Sequence, residues 1–117
     1  MNKNLKQLLK ELTEAYYEEA PEDAAYPYMV FSMRRTSESD GRQFYSLEIN
    51  VWDQNAYYSR AENMMDLLEK KLHQNSFLTE DYLIRIFKGV RQNVPDPDKS
   101  IKRVREQFEL YVYEREG

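Results

Sequence analysis

The sequence predicts an α+β fold: a single antiparallel or mixed β-sheet of about four or five strands, covered by one main helix and preceded by a short one. Three observations carry this expectation. The stretch Gln43–Asp53 alternates apolar and polar residues, with Tyr45, Leu47, Ile49 and Val51 on one side and Ser46, Glu48 and Asn50 on the other, the period of two of a half-buried strand. The segment that follows changes to helical spacing. Two more alternating segments then close the chain, so strands flank the main helix on both sides.

At the N-terminal end, Leu5, Leu8, Leu9 and Leu12 keep the i, i+3, i+4, i+7 spacing of one helical face, and this predicts a short helix over 3–15. Its stripe is narrow and is expected to pack on a sheet edge or on a neighbouring subunit. Tyr16 and Tyr17 lead into an extended segment that ends in the turn Glu19-Ala-Pro-Glu-Asp23. Proline after Tyr26 favours extended backbone there. A strand is predicted from Tyr28 to Arg35, with Met29, Phe31 and Met33 on one side and Val30 and Ser32 on the other. Residues 36–41 have turn chemistry ending in Asp40-Gly41, and predict an exposed hairpin tip that returns the chain antiparallel through 42–53.

Asn55 is the predicted N-cap of the main helix, over 56–74, with the stripe Tyr57, Ala61, Met64, Met65, Leu68 and Leu72. Tyr57 and Tyr58 open that helix, whose covered face needs only one of them. Its lone histidine, His73, stands near the C-terminus, where the helix dipole favours a cation. Further strands are predicted over 82–90 and 101–113. In the last, Val104, Phe108, Leu110 and Val112 share one face and Arg103, Arg105, Gln107 and Glu109 the other. Between them, 92–100 holds two prolines and two aspartates and reads as a long recognition-type loop.

With 117 residues the chain is expected to form one domain with one core. It has 41% hydrophobic and 32% charged residues, the balance of a soluble globular protein. Cysteine is absent from the sequence, which excludes disulfides, thiolate zinc sites and cysteine nucleophiles. Neither a transmembrane run nor a signal-peptide pattern is visible, so the protein is expected to stay in the cytosol where it is made. A formal charge of −4 argues against a general nucleic-acid binder. The charge is uneven. Glu11–Asp23 holds six acidic residues and no basic one, whereas Arg85–Arg105 holds seven basic residues against Asp96 and Asp98.

The residues offer no catalytic constellation. Without cysteine and with one terminal histidine, only Ser/Lys or carboxylate schemes remain, and no spacing singles one out. The glycines, Gly41, Gly89 and Gly117, are too scattered to cradle a phosphate. Glu18, Glu19, Glu22 and Asp23 form the densest carboxylate group, but they lack the alternating ligands and central glycine of a calcium loop and read as a solvated turn. No catalytic, cofactor-binding or metal-ligating residue is therefore expected.

The run Glu19-Ala-Pro-Glu-Asp-Ala-Ala-Tyr-Pro-Tyr-Met-Val-Phe-Ser32, followed by Ile49-Asn-Val-Trp-Asp53 and then a helix, resembles the tail terminator, or tail completion, proteins of tailed bacteriophages and prophages. The resemblance implies an α+β subunit without enzymatic activity or cofactor. Such subunits typically assemble as a hexameric ring at the head-proximal end of the tail tube, stop tube growth and join tail to head. The implied partners are other copies of the chain, the tail tube protein and a head or neck completion protein, with no membrane and no sequence-specific nucleic acid. The implied location is the virion tail, after assembly in the host cytoplasm. The alternatives are another neck or head-completion protein, or a small α+β ligand-binding domain or enzyme.

A closed ring needs two different surfaces of each subunit to meet. The charge runs supply candidates, with Glu18, Glu19, Glu22 and Asp23 facing Arg103 and Arg105 of a neighbour and Tyr57 and Tyr58 nearby. Candidate contacts with tail or head partners are the two turns, through Glu38 and Asp40 and through Asp96 and Asp98.

Overall fold

The computed structural model describes residues 2–39, 41–73, 76–78 and 81–114. In chain order the elements are α1 (Asn2–Lys10), β1 (Ala15–Tyr17), β2 (Tyr28–Ser39), β3 (Arg42–Gln54), α2 (Ser59–Leu72), β4 (Ser76–Leu78), β5 (Tyr82–Val94) and β6 (Ile101–Glu114). They build the α+β architecture that the alternation and the helical stripe predict, as one mixed sheet in the order β1-β2-β3-β6-β5-β4. The count is six because two strands of only three residues, β1 and β4, border the four long ones. β1 runs parallel to β2 and every other pairing is antiparallel.

The alternation of β3 translates directly into burial. Leu47, Ile49 and Val51 are fully buried, and Met29 and Phe31 of β2 and Val104, Phe108 and Leu110 of β6 join them on the same side. Ala61, Met65, Leu68 and Leu72 of α2 close over these residues. Burial of this stripe, at about 25 cal/mol per Å² of apolar surface, is what holds α2 to the sheet. Among the described residues, the opposite face of the four long strands carries no helix.

Four boundaries differ from expectation. α1 stops at Lys10, since Ala15–Tyr17 pairs with Met29–Phe31 instead of continuing the helix. Its stripe does not lie on an edge or await a neighbour: Leu5 and Leu9 are fully buried in the core and Leu8 and Leu12 pack against it. α2 begins at Ser59, and Asn55 does not cap it. The Asn55 Oδ1 instead accepts the Tyr57 N–H at 3.2 Å, a turn before the helix, while Tyr58 stands at the N-cap without a side-chain bond. That late start explains the two tyrosines: Tyr58 packs against the core, and Tyr57 is 73% exposed.

The other two differences are in the connections. β2 continues to Ser39 and pairs with Arg42, so most of 36–41 is strand, with a bulge at Thr36 whose Oγ1 donates to the Phe44 carbonyl at 3.1 Å. Gly41 takes φ +74°, the left-handed conformation that glycine supplies in a tight turn; Asp40 lies outside the described residues. β5 likewise continues to Val94, which reduces the 92–100 loop to 95–100. Long antiparallel ladders extend as far as their partners do, and each residue added satisfies backbone groups that a loop would leave to water.

Candidate assembly surface

Two buried carboxylates fix the helix-covered side. Asp53, fully buried at the end of β3, accepts the Gln54 N–H at 2.9 Å and pairs with both Arg60 Nε, at 2.9 Å, and a terminal nitrogen of the same guanidinium. Asp53 thus anchors the first turn of α2 to the sheet. Glu106, fully buried in the middle of β6, accepts from Arg91 Nε at 2.8 Å, and Arg91 also reaches Asp66 at 2.8 Å and Glu69 at 2.6 Å. Burial, followed by the neighbouring Glu69, pushes the Glu106 carboxyl up to about 7. Glu69 is held below its ordinary value, first by its hydrogen bond to Glu106 and then by Arg91. Burial alone would lower the Arg91 guanidinium, but its three carboxylates outweigh this and raise it. As a carboxylate, Glu106 leaves Oε2 without a donor. A proton there makes Oε2 a donor to Glu69, which adds to burial in favouring the neutral form.

The helix-free face carries the groups available to a partner. At one end Tyr28 stacks on Trp52 (6.5 Å between centroids), with Tyr16 at 6.0 Å and Tyr26 at 5.3 Å from Tyr28. The Arg103 guanidinium lies 4.8 Å over the Trp52 ring and donates to Asn50 Oδ1 at 2.8 Å. At the other end Tyr111 packs between Phe44, at 5.2 Å, and Phe87, at 5.1 Å, and Arg85 lies over Phe87. Between these ends Arg105 approaches Glu48 at 3.6 Å.

The bulges at Thr36 in β2 and at Gly89–Val90 in β5 sit on the two outer long strands. Between them this face forms a trough. A hollow of about 480 Å³ reaches from Arg34 and Thr36 across Phe44 and Tyr111 to Val90, and a second of about 350 Å³ is lined by Glu18, Glu19, Tyr28, Trp52 and Arg103. Gly89 is required at its bulge because an added Cβ would lie 2.5 Å from the Gln107 carbonyl oxygen.

The predicted site residues are dispersed over this surface. Glu18 and Glu19 follow β1 and line the second hollow together with Arg103 of their own chain; Glu22 and Asp23 are exposed in the turn beyond. Arg103 and Arg105 are already engaged within the chain, by Asn50 and Trp52 and by Glu48. Tyr58 packs beneath Lys102, and Tyr57 projects to solvent. Glu38 is exposed near the hairpin tip and paired with Arg35 at 3.0 Å. Asp96 and Asp98 shape their own loop: Asp96 Oδ1 accepts the Asp98 N–H, and Asp98 Oδ1 accepts both the N–H and the hydroxyl of Ser100. Those bonds from Ser100 lower the Asp98 carboxyl from its ordinary range. Among the described residues, no group of three or more His, Asp or Glu converges as metal ligands would, and no helix is long and apolar enough to cross a membrane.

Sequence reasoning missed the Arg91–Glu106 cluster. Its signal was a charged residue on the buried side of the last strand, between Val104 and Phe108.

Comparison with known proteins agrees with this architecture. No curated protein matches the chain. Among solved structures, a chain in the virion of a native gene transfer agent particle superposes with a TM-score of 0.70 at 16% identity, over 90% of this chain and 84% of that one, which establishes a shared fold. The family model for the tail completion protein gp17 matches residues 3–113, from α1 to the end of β6. The chain therefore belongs to the tail completion protein gp17 family, a family of phage structural proteins.

Proposed function

We propose that this protein caps the head-proximal end of a phage tail tube as a ring of identical subunits, ends tube growth and joins the tail to the head. The observation that carries the proposal is the family match over residues 3–113. It acts by contact rather than catalysis, in keeping with a family of structural proteins. Its partners are other copies of itself, the tube subunit below and a neck or head-completion protein above, and it resides in the virion tail after assembly in the host cytoplasm.

The shape supports this reading. The molecule is about 50 × 24 × 22 Å, a long slab with the hairpin tip at one end of its strands and the 95–100 loop at the other. We assign those two ends, including Glu38, Asp40, Asp96 and Asp98, to contacts with tail and head proteins. Tyr57 and the trough that holds Glu18, Glu19 and Arg103 are assigned to contacts between subunits. Glu22 and Asp23 extend the acidic side of that contact. Arg105, tied to Glu48, keeps the trough floor rigid.

Loss of the protein from an otherwise intact phage is expected to yield tails of uncontrolled length and heads without tails, with both defects reversed by supplying the protein in trans. Electron microscopy of lysates reads the outcome. Tails of uniform length attached to heads in its absence would overturn the proposal.

A further inference from the structure

The two edges of the sheet are stepped, and the steps match. Among the described residues, on one edge β1 covers only Met29–Phe31 of β2 and leaves 32–39 without a strand beside it. On the other, again among the described residues, β4 covers only Leu83–Arg85 of β5 and leaves 86–94 without one. Register through the four long strands aligns these levels. Ala15 shares a rung with Met29, Val51, Val104 and Asn93, and Tyr17 with Phe31, Ile49, Glu106 and Arg91. Ser76 shares a rung with Arg85, Tyr111, Phe44 and Ser37, and Leu78 with Leu83, Tyr113, Arg42 and Ser39. Each short strand therefore lies at the level where the opposite edge of the sheet is bare.

The bare edges present backbone groups. Met29 N–H donates to the Glu14 carbonyl at 2.9 Å, and the Phe31 carbonyl accepts from Glu18 N–H at 2.8 Å, both away from β3. By the alternation of an antiparallel strand, the same groups of Met33 and Arg35 point out to the open side, and past the bulge at Thr36 those of Glu38 do. On β5 the Lys88 N–H donates away from β6, to His73 Nδ1 at 3.0 Å. Past the bulge, Arg91 and Asn93 keep their side chains on the α2 side, as Lys88 does, so their backbone groups face outward too. Charge has the same polarity, with Glu14, Glu18 and Glu19 flanking β1 and Lys88 and Arg85 on β5.

We propose that copies of this chain join edge to edge into a continuous sheet. β4 of one copy lies beside residues 37–39 of β2 in the next, and β1 of that next copy lies beside residues 91–93 of β5 in the first. This deepens the ring reading above and rests on it. With all copies in one orientation, the contact is heterologous and can close on itself. Open strand edges invite pairing with any chain, but a stepped and bulged edge accepts only a partner with the complementary step. The same joint satisfies backbone groups on both sides.

The absence of cysteine makes the joint testable by disulfide trapping. One variant carries Ser37→Cys and Ser76→Cys, and a second carries Tyr16→Cys and Gln92→Cys. Within one copy the paired positions lie four strand spacings apart, about 19 Å, well beyond the ~7 Å limit for a disulfide. Across the joint they become neighbours. Full-length protein is oxidised both at high concentration and on assembled tails, with native mass spectrometry reporting oligomer size. Both double variants are expected to give covalent ladders that end at the ring size, and each single variant none. Oligomers that form without cross-linking in either double variant would overturn the edge joint and leave the ring reading standing. Protein that is monomeric both in solution and on tails would overturn both.

Discussion

The buried Glu106 makes stability fall as pH rises through neutrality. Its carboxyl has an ordinary value of 4.5 and is raised to about 7 in the folded protein, because burial and then Glu69 disfavour the anion. The folded state therefore binds this proton more tightly than the unfolded chain. Its contribution is complete below about pH 4.5 and is lost as pH rises through about 7. A difference of about 2.5 pH units at about 1.4 kcal/mol each sets an upper bound of about 3–4 kcal/mol. Glu69, held low, acts in the opposite sense, but its contribution is lost only as pH falls through its own lowered value, so the window between about pH 5 and 7 belongs to Glu106.

The matching perturbation is Glu106→Gln. The amide oxygen can still accept from Arg91, and the amide nitrogen can donate towards Glu69 without a charge to bury. Urea unfolding followed by the single Trp52 at pH 5, 6, 7 and 8 reads the result. The unsubstituted protein should lose stability between pH 5 and 8 and the variant should not. The variant is expected to be the more stable at pH 8, by about 1–2 kcal/mol once the lost Arg91 charge pair is set against the gain. Parallel slopes for the two proteins, or a stability that rises with pH only in the unsubstituted one, would refute the reasoning.

Three further outcomes follow from single contacts. Gly89→Ala places a Cβ 2.5 Å from the Gln107 carbonyl and is expected to cost about 1–3 kcal/mol in thermal unfolding; a change under about 0.5 kcal/mol would mean that the bulge relaxes freely. Asp53→Ala removes the buried acceptor for Arg60 and the Gln54 N–H, and should cost about 2–3 kcal/mol and raise amide exchange in the first turn of α2 above that in its last. Arg103→Ala removes the cation over Trp52 and the bond to Asn50, and should change Trp52 fluorescence while costing about 1 kcal/mol or less, because Arg103 lies on the helix-free face.

The architecture was legible in the sequence because it rests on periodicity, which is local. Tyr45–Val51 alternates and its inward set is buried; Ala61, Met65, Leu68 and Leu72 recur at helical spacing and cover it. Family membership was legible as well, since the Ala-Pro to Pro-Tyr run and the Trp52-Asp53 pair are contiguous stretches of chain. The role of Asp53 as anchor of α2 was not, because its partner Arg60 is defined by the angle at which the helix leaves the sheet.

What tertiary structure alone decided follows from strand order and register, which no single stretch encodes. Composition suggested an acidic and a basic side. Only the order β1-β2-β3-β6-β5-β4 puts the acidic residues that flank β1 at the sheet edge opposite β5, and ties Arg103 and Arg105 to partners in their own chain. Only register puts β1 at the level of Arg91–Asn93 and β4 at that of 37–39. Glu106 looked like an ordinary charged strand residue until the fold placed it under α2. There Arg91, Asp66 and Glu69, brought from 15 to 40 positions away in sequence, replace the water it has lost.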